Sequence, residues 1–261
     1  MLDGQLNKME NFDEEEFLSA NGIDQIDPQD QYYPQNIGIL APKKQLKTLY
    51  HIGEMIPLLG GVSVVGTRKC SESGKVFAEE IGANLADNSI VVISGLARGI
   101  DFYAHKGCVE NDGTSIAVLG WFHKLYPPEH KPLFDKILEN GCAISETLRM
   151  PETFSQSQFL KRDEIMAMIS DVVIVVESKS KGGAKYTADY AMKKNIPVIK
   201  CKTETDDNEL LEGHKTFLAN GALEATSPEH VLELISELKE KKETKEKKKT
   251  NETDLRDFMT G

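Results

Sequence analysis

Two glycine-rich turns lie about thirty residues apart in this chain, and each follows a short apolar run rich in β-branched residues. The first run, Val62-Ser63-Val64-Val65, ends in Gly66-Thr67-Arg68-Lys69. The second, Ile90-Val91-Val92-Ile93-Ser94, ends in Gly95-Leu96-Ala97-Arg98-Gly99-Ile100-Asp101. Both then pass into a helical pattern. A strand that stops at glycine and continues as a helix is the junction where a parallel sheet leaves backbone N–H groups open to an anion. Each turn also carries an arginine, Arg68 or Arg98, whose planar fork suits phosphate. Two such junctions in adjacent βα units confine the chain to an alternating α/β fold. They point to a ligand with several phosphates, either a nucleotide or a nucleic-acid backbone.

The alternation continues. Strands are expected at 62–65, 90–94, 115–119, 142–145, 172–176 and 197–200, with helices at 72–87, 100–111, 130–139, 157–169 and 184–194. Val76, Ile81 and Leu85 mark the buried face of the first helix. The unbroken Val/Ile run at 172–176 implies a strand covered on both faces. The expected fold class is therefore α/β, a doubly wound, mostly parallel sheet with right-handed crossovers. Residues 1–40 read as an acidic, weakly structured arm with one short helix. Residues 43–59 read as an opening strand and turn, and the stretch around Pro151 as irregular. The sheet domain is expected to span 41–225, and 226–261 to hold a helix and a charged tail. Ser227 as N-cap with Pro228 at the first helical position starts that helix, expected to end at Lys239. The lysine-rich run 241–249 reads as solvated.

At 39% hydrophobic and 28% charged residues, the chain is soluble and globular in composition. It has no apolar run long enough to cross a bilayer and no signal-length apolar core near Met1, so a cytoplasmic protein away from membranes is expected. Four cysteines without a C-x-x-C pair argue for reduced thiols, against a disulfide framework or zinc site. No metal or cofactor is expected. The net charge of −11 is unevenly spread: about −6 over residues 1–60, about 0 over 61–200 and about −5 over 201–261. A neutral core domain can still hold a local cationic groove.

In the second turn, Ser94 offers a hydroxyl, Gly95 lets a ligand approach the backbone and Gly99 permits close helix packing. Asp101 either caps its helix or touches ligand. The spacing is not that of the dinucleotide fingerprint. A third turn, Lys179-Ser180-Lys181-Gly182-Gly183-Ala184-Lys185-Tyr186-Thr187, follows strand 172–176, so all three should open on one carboxyl edge. Phe159-Leu160-Lys161-Arg162 sets an aromatic beside two cations, a pairing that can stack a base and hold a phosphate. Alternatively, Phe159 is core and the cations face solvent. Nucleophilic catalysis has little support: His105, His123, His130 and His214 lack a partner motif, and there is neither a G-x-S-x-G elbow nor a Walker lysine. Glu146 and Glu177 end strands on the ligand edge and leave a carboxylate-driven reaction open.

Together these residues resemble the DNA processing protein A family, also called Smf. The resemblance rests on Val65-Gly66-Thr67-Arg68-Lys69, on Ser94 to Asp101 with Ala104 and His105, on Ile116 to Gly120 with Tyr126-Pro127-Pro128-Glu129, on Ser145-Glu146, and on the Val/Ile strand before the third turn. It covers about residues 45–200. It implies a Rossmann-like domain that binds single-stranded DNA, protects incoming strands in natural transformation and loads RecA recombinase, with no enzymatic step. It also implies homodimerisation through that domain. Arg68 would contact phosphate, Thr67, Ser94 and Gly95 would line the same pocket, and Lys131 would stand beside it. The candidate DNA-binding set is thus Gly66, Thr67, Arg68, Ser94, Gly95, Arg98, Lys131, Phe159, Lys161, Gly182 and Gly183. The chain departs from the family at Asp163 and Glu164, where Asn and Arg are usual. Lys181 and Lys185 are expected to offset the lost charge. The alternative reading is a Rossmann-like nucleotide sensor or phosphoribohydrolase-like enzyme, which Gly182-Gly183 and Thr187 loosely suggest.

Overall fold

A computed structural model of the protein describes residues 12–42, 46–150 and 156–260, with side chains as far as residue 244. Its nine strands form one sheet: β1 (Asp24–Ile26), β2 (Leu49–Gly53), β3 (Gly61–Val65), β4 (Val92–Ser94), β5 (Ser115–Val118), β6 (Cys142–Ser145), β7 (Ser170–Val175), β8 (Val198–Cys201) and β9 (Leu223–Ala225). The order is β1-β2-β6-β5-β4-β3-β7-β8-β9. From β6 to β9 all neighbours are parallel; β2 pairs antiparallel with β6, and β1 with β2. The expected doubly wound α/β sheet is therefore the observed one. From β3 the chain builds outward through β4, β5 and β6 in one direction, then through β7, β8 and β9 in the other. The order reverses between β3 and β7, and the carboxyl ends of two such strands diverge into a crevice.

β3 and β7 sit at the centre of the sheet because their Val and Ile side chains are buried on both faces. Their register sets Val62 opposite Val172 and Val65 opposite Val175. Ser63 is the polar residue of β3. Its Oγ donates to the Met166 carbonyl at 3.2 Å and lies 2.7 Å from Ser170 Oγ, which satisfies it inside the core. α3 (Glu72–Asp87) starts at Ser71, whose Oγ accepts from the Gly74 N–H at 2.9 Å. Its buried stripe is Phe77, Ala78, Ile81 and Leu85; Val76, expected inside, is 56% exposed, being one step out of phase with that stripe. α4 (Ile100–Val109) packs against it through glycines. A Cβ on Gly107 would lie 1.9 Å from the Glu79 carbonyl oxygen, and one on Gly82 would lie 2.2 Å from that of Ala104. Gly107→Ala should therefore destabilise the fold by about 1–3 kcal/mol through forced separation of the helices, measurable by urea denaturation; an unchanged midpoint would contradict this packing.

Two expectations need correction. Over its described residues, 12–40, the acidic arm is structured. It forms α1 (Glu14–Asn21), β1 at the sheet edge and α2 (Asn36–Leu40), with Ile26, Tyr33 and Ile37 buried in the main core. Each such side chain contributes about 1.5–3 kcal/mol when buried, enough to hold a segment otherwise rich in charge. The C-terminal helix also does not stop at Lys239: α9 runs Pro228–Thr260. Lys and Glu are good helix formers, and i,i+4 pairs such as Lys241–Glu237 (3.1 Å) extend it. The remaining helices are α5 (Lys131–Asn140), α6 (Gln156–Met168), α7 (Gly183–Lys193) and α8 (Asn208–Ala219). The expected irregular stretch around Pro151 falls at 151–155, outside the described residues.

Candidate nucleic-acid interface

The crevice between β3 and β7 is an open cleft of about 730 Å³. One wall is the turn after β3, with Gly66, Thr67 and Arg68; the other is the turn after β7, with Lys179, Lys181, Gly182 and Gly183. α6 supplies Phe159, Arg162 and Asp163 between them. Arg68 and Lys181 are exposed. Phe159 is half-buried, outside the core clusters, with the guanidinium carbons of Arg68 and Arg162 at 5.4 and 5.9 Å from its ring centre. The Trp121 and Tyr126 rings also lie beside it, with centroids 5.4 and 6.4 Å away, so Phe159 joins an aromatic and cationic cluster at the edge of the cleft. A side chain on Gly182 or Gly183 would meet nothing closer than 3.5 Å, so the α7 N-terminus is open to the cleft. α7 begins at Gly182 without a side-chain cap, which leaves its first N–H groups facing outward.

The turn after β4 works differently from the sequence expectation. Ser94 is fully buried, and its hydroxyl donates to the Val64 carbonyl at 2.6 Å, tying β4 to β3 instead of lining a pocket. The space over Gly95 is filled by the protein: a Cβ there would lie 1.3 Å from Arg162 Nη1. Gly95 is small enough for Arg162 to lie against it, and the two share a small hollow with Arg68, Arg98 and Phe159. The turn then folds back through Leu96 (φ +54°) and Gly99 (φ +78°). That reversal aims the N–H groups of Gly95 and Ala97 at Asp101 Oδ2, at 3.2 and 3.4 Å. Asp101 thus ties its own turn together, and it sits 3.6 Å from Arg162 Nη1. Ser94→Ala should lower stability by about 1 kcal/mol, read from thermal unfolding, and leave ligand binding unchanged. A selective loss of binding would return Ser94 to the site.

Of Arg68, Arg98, Lys131 and Lys161, the cations in the candidate DNA-binding set, Arg68 lines the large cleft. Arg98 is exposed beside it, held by Glu129 at 2.5 Å and lying 5.8 Å from the centre of the Tyr126 ring. Lys131 is exposed on α5 and paired with Asp135. Lys161 points to solvent, whereas its neighbour Arg162 is the buried guanidinium. Arg162 was read from sequence as one of two cations beside Phe159 but not kept in the candidate set, which took Lys161 instead. Its spacing held the signal: positions 162, 165, 166 and 169 lie on one helical face, and Ile165, Met166 and Ile169 are all core.

Glu177 is spoken for. Its carboxylate accepts from the Ser71 N–H (2.9 Å), Ser71 Oγ (2.6 Å) and Thr203 Oγ1 (2.9 Å), fastening the end of β7 to the start of α3. That removes one of the two carboxylates a hydrolytic reading would use. His105 is buried against Ser115 Oγ, with Nδ1 at 2.7 Å, and burial pushes its pKa down to about 3. It is a neutral packing residue rather than a base. Among the described residues no helix is long and apolar enough to cross a membrane, and no cluster of His, Cys, Asp and Glu could hold a metal ion.

Comparison with known proteins places this architecture. The chain is 32% identical over 227 residues to the Smf protein of Synechocystis, covering 84% of this chain and 56% of that one. It is similar to the crystal structure of DNA processing protein A from Streptococcus pneumoniae, with a TM-score of 0.72 and 30% identity over 84% of this chain and 77% of that chain. It also shares the fold of DNA processing protein A from Helicobacter pylori, described for its single-stranded DNA binding mode, at TM-score 0.69 and 23% identity over 82% and 96% of the two chains. The chain spans about half the length of the curated relatives it matches. The family profile of DNA recombination-mediator protein A matches residues 24–236. With that match over most of its length, on a sheet whose cleft opens where the strand order reverses, the chain belongs to the DNA recombination-mediator protein A family.

Proposed function

We propose that this protein binds single-stranded DNA in the cleft between β3 and β7, as a non-enzymatic DNA-processing factor. The observation that carries the reading is Phe159 in contact with both Arg68 and Arg162 in a cleft whose opposite wall is Lys181, Gly182 and Gly183. A stacking face beside a phosphate track is what an unpaired strand needs and a duplex cannot use, because only splayed bases present a free π-face. Thr67 and Gly66 bring the β3 turn to the backbone, and Arg98 and Lys131 extend the cationic margin toward α5. In this reading RecA receives the bound strand, and a second copy of the chain lengthens the track. The fold-mate from Helicobacter is described by its single-stranded DNA binding mode, which supports the same ligand class.

The test is a competition gel shift between a labelled single strand and a duplex of equal length. The single strand should be preferred, and Phe159→Ala should weaken its binding by about 1–3 kcal/mol with little change in melting temperature. Equal affinity for the duplex would contradict the stacking site.

A further inference from the structure

Asp163 places a carboxylate on the floor of a cleft whose rim is cationic, and it is 93% buried there by its 7% exposure. On its own helix it faces Arg162, with Nε 3.4 Å from Oδ1, and Glu164. Asp101 approaches from α4, Arg68 from the β3 turn and Tyr186 from α7, and Lys181 stands on the opposite rim. Arg162 is shared, since Asp101 Oδ2 lies 3.6 Å from its Nη1. Asp101 has two backbone N–H donors besides. Two carboxylates on one guanidinium leave a surplus negative charge next to the space where a phosphate would sit. Burial pushes the Asp163 carboxyl up to about 6; Asp101 and Glu164 add to the rise, and Arg162 and Arg68 oppose it.

We propose that strand binding takes up a proton at Asp163, so that the affinity of the cleft for a DNA phosphate backbone is set by pH through this one carboxyl. The inference rests on reading the cleft as the DNA site. A phosphate brought into the cleft adds negative charge beside a carboxyl already disfavoured as an anion, and so favours its protonated form. By linkage, protonation must then favour the phosphate by the same factor. Neutral Asp163 also leaves Arg162 with one carboxylate instead of two, which restores positive potential under the Phe159 ring.

The experiment measures the dissociation constant of labelled oligothymidylate, whose bases do not titrate near neutrality, from pH 8 to pH 5.5 at constant salt. For the full chain, affinity should rise toward about tenfold per pH unit as pH falls to 6, then level off once the free protein is itself protonated. Asp163→Asn should bind more tightly at pH 8 and show a flat profile; exposed histidines would leave a slope in both proteins. Proton uptake on mixing in weak buffer at pH 7.5 gives a readout on the unaltered chain, should the variant fold poorly. Parallel slopes in the two proteins, or no uptake by the unaltered chain, would overturn the proposal while the DNA reading stands. No binding at any pH would overturn both.

Discussion

Arg162→Ala is expected to cost about 3–5 kcal/mol of folding stability, the largest effect of any single substitution near the cleft. The guanidinium is buried, and it lies 3.6 Å from Asp101, 3.4 Å from Asp163 and 3.1 Å from the Met166 sulfur. Truncation would leave Asp101 and Asp163 buried without their shared cation, and would open a void against Gly95. Urea denaturation at pH 7.5 reads the loss; a change below about 1 kcal/mol would contradict the account of the floor. Gly95→Ala supplies an independent check, because its new Cβ would overlap Arg162 Nη1. The two substitutions should be strongly non-additive, since once Arg162 is gone the alanine has room.

Acid should destabilise the protein through His105. Its folded pKa of about 3 lies below the ordinary 6.5, so the unfolded chain takes up the proton first. Stability is therefore fully present above about pH 6.5 and is lost as pH falls toward 3, by up to about 5 kcal/mol from this one side chain. Asp163 acts in the opposite sense. Its folded pKa of about 6 lies above the ordinary 3.8, so the folded state binds the proton first and gains stability as pH falls through that window. Asp101, buried and likewise pushed up, acts in the same sense as Asp163, so the His105 contribution is read as a difference between the unaltered chain and a His105 variant. His105→Gln should flatten unfolding free energy between pH 6.5 and 4 relative to the unaltered chain. Curves that run parallel would show that His105 is not the neutral buried group described here.

The sheet was legible because its central strands are Val/Ile-rich runs leading into glycine-bearing turns, a pattern that physical chemistry permits in few folds. α3 was placed from Glu72 to Asp87 by its apolar period. The N-terminal segment was misread because Ile26, Tyr33 and Ile37 are scattered singly among carboxylates; what buries them is the edge of a sheet formed more than twenty residues later. In the site, the three turns were legible as a set but their division of labour was not. Gly95 and Gly182 look alike in sequence, yet one lies under a guanidinium and the other opens onto the cleft. Likewise Lys161 and Arg162 are adjacent cations, and only the register of α6 against Ile165 and Ile169 decides which one turns inward. Asp163 stood out as a departure from the family, while its setting beside Asp101 depends on two helices remote in sequence.

The central claim is that the cleft holds a phosphate backbone through Arg68. Fluorescence anisotropy of a labelled single strand, measured over a salt series with the unaltered chain and with Arg68→Ala, tests it most directly. The account predicts weaker binding by the variant at every salt concentration and a log–log salt slope smaller by about one phosphate contact. A correctly folded Arg68→Ala protein with unchanged affinity and unchanged slope would contradict it.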